Sequence, residues 1–343
     1  MRVFWDEVQM SHAPQFFLQR GLVRANFEVP RRAAALLEGV RALGLVAERP
    51  GMADMAAVAA VHDPAYLAFL RDGPAAWAAL PEKGPELVPN IHPSPEMLAN
   101  GARMGPTVIG QVGWFTADTS CPIAAETWPA AIAAAAGAIA AADEAAAGRH
   151  AYALARPPGH HAYGARAGGH CYLNNAAIAA ERLRARGAAR VAVLDIDSHH
   201  GNGTQGIFWE RPDVLFASVH GDPEGYYPWY VGHASERGGG AGAGSNLNLP
   251  LARGAGDEDW LAAIRHALGM IAGFHADALV LSLGFDASVN EPLGFLRVTA
   301  GGFERAGAAI AGLGLPTAIV QEGGYNGDEL GTLLSRTLGP FLE

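Results

Sequence analysis

Residues 191–200 read VAVLDIDSHH, a continuous apolar run that stops at acidic and histidine residues. A run without alternation is typical of a strand buried on both faces of a parallel sheet. Helical patterns separate this run from five similar ones. The five lie at residues 3–5, 152–155, 214–219, 278–283 and 317–320. We therefore expect an α/β fold with a single doubly wound parallel β-sheet flanked by helices, in one domain over residues 1–343.

The composition favours a folded enzyme with a large core. Half of the 343 residues are hydrophobic and 17% are charged, which excludes an intrinsically disordered chain. The net charge of −10 argues against a nucleic-acid partner, because such binding needs a surplus of Lys and Arg. The negative charge suits a small cationic substrate, although acidity can also serve solubility alone.

The cellular location is predicted from cysteine usage and from apolar runs. Cys121 and Cys171 cannot form a disulfide framework, and the charged start MRVFWDEVQM is unlike a secretion signal. The longest weakly polar run, 128–142, is too short and too rich in alanine for a membrane span. We expect a cytoplasmic protein with no membrane partner.

The segment 73–122 interrupts the alternation of strands and helices. It is rich in Pro, Gly and short polar runs, and it shows little periodicity. Fifty residues of this kind within a domain indicate an irregular insertion. It could form a lid, an oligomer contact or a simple surface excursion.

Ionisable side chains follow four of the predicted strands. Ligands of an open α/β sheet bind beyond the carboxyl ends of its strands. The groups at these four ends are His160 and His161; Asp195, Asp197, His199 and Asn202; Asp286; and Glu322 and Tyr325. We expect these groups to meet at one edge of the sheet.

Three of these residues form a candidate metal site. Asp197 and His199 are two residues apart, so on an extended segment they face the same side. Carboxylate and imidazole suit a borderline metal such as zinc, and Asp286 can supply a third ligand. Two carboxylates and one histidine with an open position is the pattern of a catalytic zinc site. The alternatives are that the aspartates cap turns, or that iron(II) is the metal.

His160 and His161 are candidate proton carriers. They follow the sequence PPG, which fixes a rigid turn, and imidazoles titrate near neutral pH. Asp195 and Asn202 lie in the right segment to orient one imidazole each. Tyr325 follows two glycines, and its phenol can donate to an oxyanion opposite the metal or simply pack in a loop.

Three further residues carry weaker expectations. His200 should point away from the metal site and be structural, whereas His220 is a candidate neighbour of the site. Cys171 is close in sequence to these groups, but no base is arranged beside it as in a cysteine hydrolase.

Six strings of this sequence resemble the signature strings of the histone deacetylase superfamily, which has an arginase-like fold. They run in the family's order and read RPPGHH at 156–161, GGHCYLNNAAIAA at 168–180, VAVLDIDSHHGNGTQ at 191–205, FASVHGDP at 216–223, LSLGFD at 281–286 and QEGGY at 321–325. Within the superfamily the sequence is most similar to the bacterial acetylpolyamine amidohydrolase branch. The irregular segment 73–122 lies where that branch carries an insertion that makes a dimer and narrows the active-site mouth. The resemblance therefore implies a homodimer.

The resemblance also implies one zinc ion per chain, held by Asp197, His199 and Asp286. It implies His161 as general base and acid, His160 as its electrostatic partner, and Tyr325 as the group that polarises the carbonyl. It further implies a structural potassium ion beneath the zinc. The groups that would hold potassium are the carboxylate and carbonyl of Asp195, main-chain oxygens of Asp197 and His199, and groups of Ser218 and Val219.

The family's substrate tunnel has two aromatic walls, and this chain matches one of them. Tyr227 matches the first wall, whereas the second position, usually Phe or Tyr, is His170 beside Gly169. Asp118 matches a carboxylate that attracts the distal ammonium in the polyamine branch. Leu293 lies where some polyamine-selective relatives carry a glutamate. The implied substrate is a small cationic acetylated amine.

Arginases share the fold but hold two manganese ions, with extra carboxylates in a DxHxD string. Here DIDSHHGN offers His200 and Asn202 at those positions, which favours a single metal. The implied reaction is hydrolysis of acetylated polyamines or related small amines. The alternatives are deacetylation of protein acetyl-lysine and a non-catalytic module that binds acetylated ligands.

Overall fold

The computed structural model describes residues 1–343, and its centre is an eight-stranded sheet in which all neighbouring strands are parallel. Its strands are β1 (Arg2–Phe4), β4 (Ala47–Glu48), β5 (Ala151–Ala153), β6 (Val191–Asp195), β7 (Val214–Gly221), β8 (Asn246–Leu251), β9 (Ala278–Leu283) and β10 (Thr317–Gln321). Their order across the sheet is β4-β1-β5-β10-β9-β6-β7-β8. A separate antiparallel hairpin is formed by β2 (Phe16–Gln19) and β3 (Leu22–Ala25).

Eleven α-helices accompany the strands. They are α1 (Arg31–Ala42), α2 (Met55–Ala59), α3 (Pro64–Ala78), α4 (Pro95–Ala99), α5 (Val108–Trp114), α6 (Thr127–Ala146), α7 (Asn175–Ala185), α8 (Asn202–Phe208), α9 (Asp257–Phe274), α10 (Ala300–Ala311) and α11 (Leu330–Leu338). Several begin at a side chain that caps the first turn. Asp63, for example, accepts hydrogen bonds from the backbone N–H groups of Ala65 and Tyr66 at the start of α3.

The helices cover both faces of the sheet. One face packs against α1, α9, α10 and α11, and the other against α6, α7 and α8, so that each face has its own hydrophobic core. Strands such as β6 and β9 are buried along their whole length, which explains why their sequences do not alternate. The predicted doubly wound α/β fold is confirmed.

Helix α6 contains the weakly polar run 128–142, which the sequence analysis predicts to be too short for a membrane span. The helix has 20 residues, and its length and mean hydropathy of 1.2 would suffice for such a span. However, 72% of its apolar window is buried inside the protein, where the helix packs on β5 and β10. Its alanines let it approach the sheet closely, as a core helix requires.

The segment 73–122 is less irregular than its composition predicts. It contains the end of α3 and the short helices α4 and α5. Val108 and Val112 of α5 are buried against a third core that also includes Tyr66 and Phe115. The glycines within α5 hide its helical period from a reading of the sequence, because Gly has a low helix propensity.

Candidate active site

Four neighbouring strands deliver the candidate site residues to one edge of the sheet. The strands β5, β10, β9 and β6 lie side by side, and all point the same way. The histidine pair follows β5, and Tyr325 follows β10. Asp286 follows β9, and the Asp197–His199 pair follows β6. The residues expected to meet at the carboxyl ends of the strands therefore do so.

The predicted metal ligands Asp197, His199 and Asp286 form a compact cluster. One oxygen or nitrogen from each lies within 4.8 Å of the others. His199 Nδ1 is 2.8 Å from Asp286 Oδ2 and 3.2 Å from Asp197 Oδ1. Backbone N–H groups fix both carboxylates, since Ser198 donates to Asp286 Oδ1 at 2.7 Å and Gly323 donates to Asp197 Oδ2 at 2.9 Å.

The cluster concentrates negative charge in a buried place. Burial lowers the pKa of His199, but the charge of Asp286 and the hydrogen bond with Asp197 outweigh it and raise this pKa to about 9. Burial and the neighbouring Asp197 raise the pKa of Asp286. The imidazolium supplies the positive charge between the two carboxylates, a role that a divalent cation could take.

The residues around the cluster fit a metal ion. Glycines stand where a side chain would fill the space beside the carboxylates. A Cβ atom at Gly284 would overlap Asp197 Oδ2, and one at Gly323 would lie 2.7 Å from Asp197 Oδ2 and from Asp286 Oδ2. Two carboxylates and an imidazole are also the donor set that zinc accepts.

His160 and His161 lie one behind the other next to this cluster, with ring centroids 4.0 Å apart. His160 Nδ1 is 2.9 Å from Asp195 Oδ2, and His161 Nδ1 is 2.6 Å from Asn202 Oδ1. The Asn202 amide nitrogen donates to the Tyr163 hydroxyl, which fixes the orientation of the amide. His161 therefore carries its proton on Nδ1 and leaves Nε2 free to accept one.

The surroundings drive the two histidines to opposite protonation states. Burial lowers the pKa of His160, but the charges of Asp195 and Asp197 outweigh it and hold this pKa well above its ordinary value. Burial and the positive charge of His160 hold the pKa of His161 well below its ordinary value. A charged histidine thus lies beside a neutral one, an arrangement typical of acid–base sites.

Glu322 is a site residue to which the sequence analysis assigns no role. Its Oε2 accepts hydrogen bonds from the backbone N–H of Gly159 at 2.7 Å and of His160 at 3.1 Å, so it fixes the turn that presents the histidines. It also lies with His160 and Cys171 in a buried group within 4.8 Å. A base is therefore closer to Cys171 than the sequence predicts, but burial raises the pKa of this thiol well above its ordinary value.

Tyr325 is held from two sides. Its backbone N–H donates to Glu291 Oε2 at 3.0 Å, and the guanidinium of Arg32 lies 4.8 Å over its ring. Arg32 is itself fixed by the Gly324 carbonyl and by an ion pair with Glu28. Burial raises the pKa of Tyr325 well above its ordinary value, although the charge of Arg32 opposes this, so the hydroxyl remains a donor.

A cavity of about 550 Å³ opens above these groups. Most of the residues that are predicted to bind the substrate or to catalyse its hydrolysis line this cavity. Those that line it are Asp118, His161, Gly169, His170, His199, Tyr227, Leu293 and Tyr325. His160, Asp195, Asp197, Asn202 and Asp286 lie behind the cavity wall.

The wall around His161 depends on Asp118. The Asp118 Oδ2 atom accepts hydrogen bonds from the Tyr227 hydroxyl at 2.5 Å and from the Gly169 backbone at 3.0 Å. The Tyr227 ring stands nearly perpendicular to the His161 ring at 4.9 Å. Gly169 has φ +50°, and a Cβ there would overlap the His161 ring, so only glycine fits. The His170 ring faces Tyr325 at 6.0 Å.

The residues predicted to hold potassium are on neighbouring strands. Asp195 at the end of β6 is the register partner of Ser218 on β7, and Val219 follows. The Ser218 hydroxyl is 2.8 Å from His220 Nδ1, so His220 contacts this group rather than the cavity. His200 is buried, and its ring lies 4.6 Å from that of His220, away from the metal cluster, as expected for a structural residue.

The outer part of the cavity is not predicted from the sequence. The β2–β3 hairpin contributes Phe17, Arg20 and Arg24, and the loops after β7 and β8 contribute Trp229 and Arg253. None of these residues belongs to a motif. The FFLQRGLVRA string, with its RG turn between two short apolar runs, is the one signal that could have indicated the hairpin.

Comparison with known proteins agrees with this arrangement. The model of the histone deacetylase domain matches residues 26–339. An acetylpolyamine amidohydrolase of Burkholderia pseudomallei is 46% identical over 334 residues, which cover 96% of this chain and 95% of that protein. Acetylpolyamine amidohydrolase 1 of Pseudomonas aeruginosa is 43% identical over the same share of both chains. The crystal structure of an acetylpolyamine aminohydrolase from Burkholderia pseudomallei superposes with a TM-score of 0.94 at 45% identity and covers 99% of this chain and 98% of that chain.

Proposed function

The chain belongs to the histone deacetylase family, and we propose that it is a zinc-dependent amidohydrolase that removes acetyl groups from acetylated polyamines or related small amines. One observation carries this proposal: the Asp197–His199–Asp286 cluster lies beside His161 and Tyr325 at the inner end of one cavity. The names of relatives that match almost the whole chain support the substrate class.

Asp197, His199 and Asp286 would hold one zinc ion, because their donor atoms converge and their donor chemistry suits it. When bound, zinc supplies Lewis acidity that polarises the acetyl carbonyl and lowers the pKa of water from 15.7 to roughly 7. Iron(II) would fit the same ligands, and metal analysis of protein purified without added metal separates the two.

His161 is the proposed general base and acid. Its Nε2 accepts a proton from the water whose oxygen adds to the acetyl carbon. It then returns a proton to the amine nitrogen as the carbon–nitrogen bond breaks, and the products are acetate and the free amine. His160, held charged by Asp195, favours the neutral starting state of His161 by repulsion. Asn202 keeps the proton of neutral His161 on the far nitrogen.

Tyr325 is the proposed hydrogen-bond donor to the carbonyl oxygen as negative charge develops there. Its hydroxyl faces the cavity and retains its proton because burial raises its pKa. Arg32 and Glu291 hold the ring and backbone in place, so the donor is oriented before the substrate arrives.

A structural potassium ion is the proposed occupant of the region behind the metal cluster. Asp195, Ser218 and Val219 lie on paired strands there, together with the backbone of Asp197 and His199. A potassium ion would balance the buried carboxylates. Replacing potassium by sodium in the buffer should lower the melting temperature if this assignment holds.

The segment 73–122 is the proposed dimer contact and part of the mouth. It exposes apolar side chains at Ile91, Met97, Leu98, Met104 and Ile109, and it reaches the cavity through Asp118, Thr119 and Ser120. Exposed apolar residues grouped in one segment favour an interface. Light scattering should give a dimer for the native chain and a monomer for Leu98→Asp.

A direct comparison of substrates tests the proposed function. The purified full-length protein is supplied with zinc and offered N-acetylputrescine or a peptide with one acetyl-lysine, and released acetate is measured. The proposal expects a higher kcat/KM for N-acetylputrescine. A preference for the peptide would indicate a protein deacetylase, and binding without hydrolysis of either would indicate a non-catalytic module.

A further inference from the structure

The outer part of the cavity is positively charged, although the chain has a net charge of −10. Three arginines line it: Arg20 at the turn of the β2–β3 hairpin, Arg24 on β3, and Arg253 after β8. All three are exposed, and none of them forms a salt bridge. Their charges are therefore available to a ligand.

The arginines outnumber the carboxylates of the cavity lining, because Asp118 is the one acidic residue there. Both of its oxygens are used within the protein, since the Ser120 N–H donates to Oδ1 at 2.7 Å while the Tyr227 hydroxyl and the Gly169 N–H donate to Oδ2. Leu293, also at the mouth, is apolar.

The fold anchors two of these arginines to the walls of the reaction site. Arg24 is the cross-strand partner of Phe17, whose ring lies 5.3 Å from the ring of His170. Opposite residues of an antiparallel pair have their side chains on the same face. Arg24 is thus held over the His170 side of the cavity.

Arg253 lies on the other side. Its guanidinium is 4.3 Å over the ring of Phe295, which packs on Tyr226 at 4.5 Å. Tyr226 in turn stacks on His199 at 4.4 Å. Two rings, those of Phe295 and Tyr226, therefore connect this guanidinium at the cavity lining to His199 of the metal cluster.

We propose that the site also hydrolyses acetylated amines whose far end is a carboxylate, the N-acetyl-ω-amino acids, and that Arg20, Arg24 and Arg253 bind this carboxylate. Guanidinium groups match carboxylates in geometry as well as in charge. The inference rests on the proposed amide hydrolysis and adds a second substrate class to it. The bonds made and broken are the same as for an acetylated polyamine.

Three amides of similar length isolate the terminal charge: N-acetyl-4-aminobutyrate, N-acetylputrescine and the neutral N-acetylbutylamine. Their kcat/KM values are measured with the full-length zinc-loaded protein, with the variant Arg20→Gln/Arg24→Gln/Arg253→Gln, and with the control Arg265→Gln on α9. Arg265 is exposed, and it is remote from the cavity lining. The neutral amide serves as the reference for each protein.

The native chain should hydrolyse N-acetyl-4-aminobutyrate. In the triple variant its kcat/KM relative to the neutral amide should fall about tenfold, since three exposed pairs each contribute modestly. The ratio for N-acetylputrescine should rise, and both changes should shrink at high salt. The control should keep the native ratios.

Two results would overturn the inference and leave amide hydrolysis standing: no turnover of N-acetyl-4-aminobutyrate while the other two amides react, or identical ratios in the native chain and the triple variant. If none of the three amides reacts, the proposed function is wrong and this inference fails with it.

Discussion

Replacing Tyr325 by phenylalanine removes one oxygen atom and leaves the rest of its contacts in place. The ring would keep its contact with Arg32, 4.8 Å above it, and the backbone would keep its hydrogen bond to Glu291. The Tyr325 hydroxyl faces the cavity and binds no other protein group, so no buried partner loses a hydrogen bond. We expect the free energy of unfolding to change by less than about 0.5 kcal/mol.

The effect on turnover should be much larger than the effect on stability. Loss of one preorganised oxyanion donor typically lowers kcat by a factor of about 10²–10³, or about 2.7–4 kcal/mol. The assay is acetate release from N-acetylputrescine at saturating substrate, with zinc content and urea unfolding measured on the same samples. A variant that folds, retains zinc and turns over within about fivefold of the native rate would refute the role of the hydroxyl as donor.

Three further changes test the metal cluster and the buried histidines. Asp286→Ala should reduce zinc below one ion per chain in elemental analysis, because a third of the ligand set is lost. Gly284→Ala should weaken zinc binding by about 10–100-fold in a chelator competition, because the new methyl group would displace the Asp197 carboxylate. Burial lowers the pKa of His62 from 6.5 to about 4. Its Nε2 accepts a hydrogen bond from the Asn174 backbone N–H, which only the neutral imidazole can do. Because the pKa of His62 is lower in the folded state than in the unfolded state, its neutral ring contributes fully to the free energy of unfolding above pH 6.5. This contribution is lost as the pH falls towards 4, and about 2 kcal/mol of it is lost at pH 5. Urea unfolding of His62→Gln at pH 7.5 and pH 5 should show a smaller acid loss than the native chain, and an equal loss would contradict the assignment.

The central strands are predictable because both of their faces are buried. The predicted bounds of β6 and β9 match the structure, since their nearly continuous runs of Val, Leu and Ala are typical of strands buried on both faces. The short edge strand β4 and the outer strand β8, with its Pro250 and alternating asparagines, give no such run. They form because neighbouring strands present unpaired backbone groups, which is a tertiary effect.

The inner site is predictable for a topological reason. The carboxyl ends of parallel strands lie at the same edge of the sheet. Once the strands are recognised in the sequence, residues that follow them, such as Asp197 and Asp286, are therefore expected to lie close together. The supporting contacts are not predictable in this way. Glu322 holds the backbone of His160 across 162 residues, and Arg32 reaches the ring of Tyr325 from the first long helix. Neither contact can be inferred from a periodic pattern or a motif spacing in the sequence.

The order of the strands in the sheet differs from their order in the chain, and this affects when the proposed metal site can form. Asp197 and His199 are translated long before Asp286, and β9 and β10 enter the middle of the sheet after the strands on both sides have been made. On the ribosome, a nascent chain that has not yet reached residue 286 has only part of the metal-binding cluster. The three ligands of the proposed zinc site are therefore all present only after residue 286 has been made.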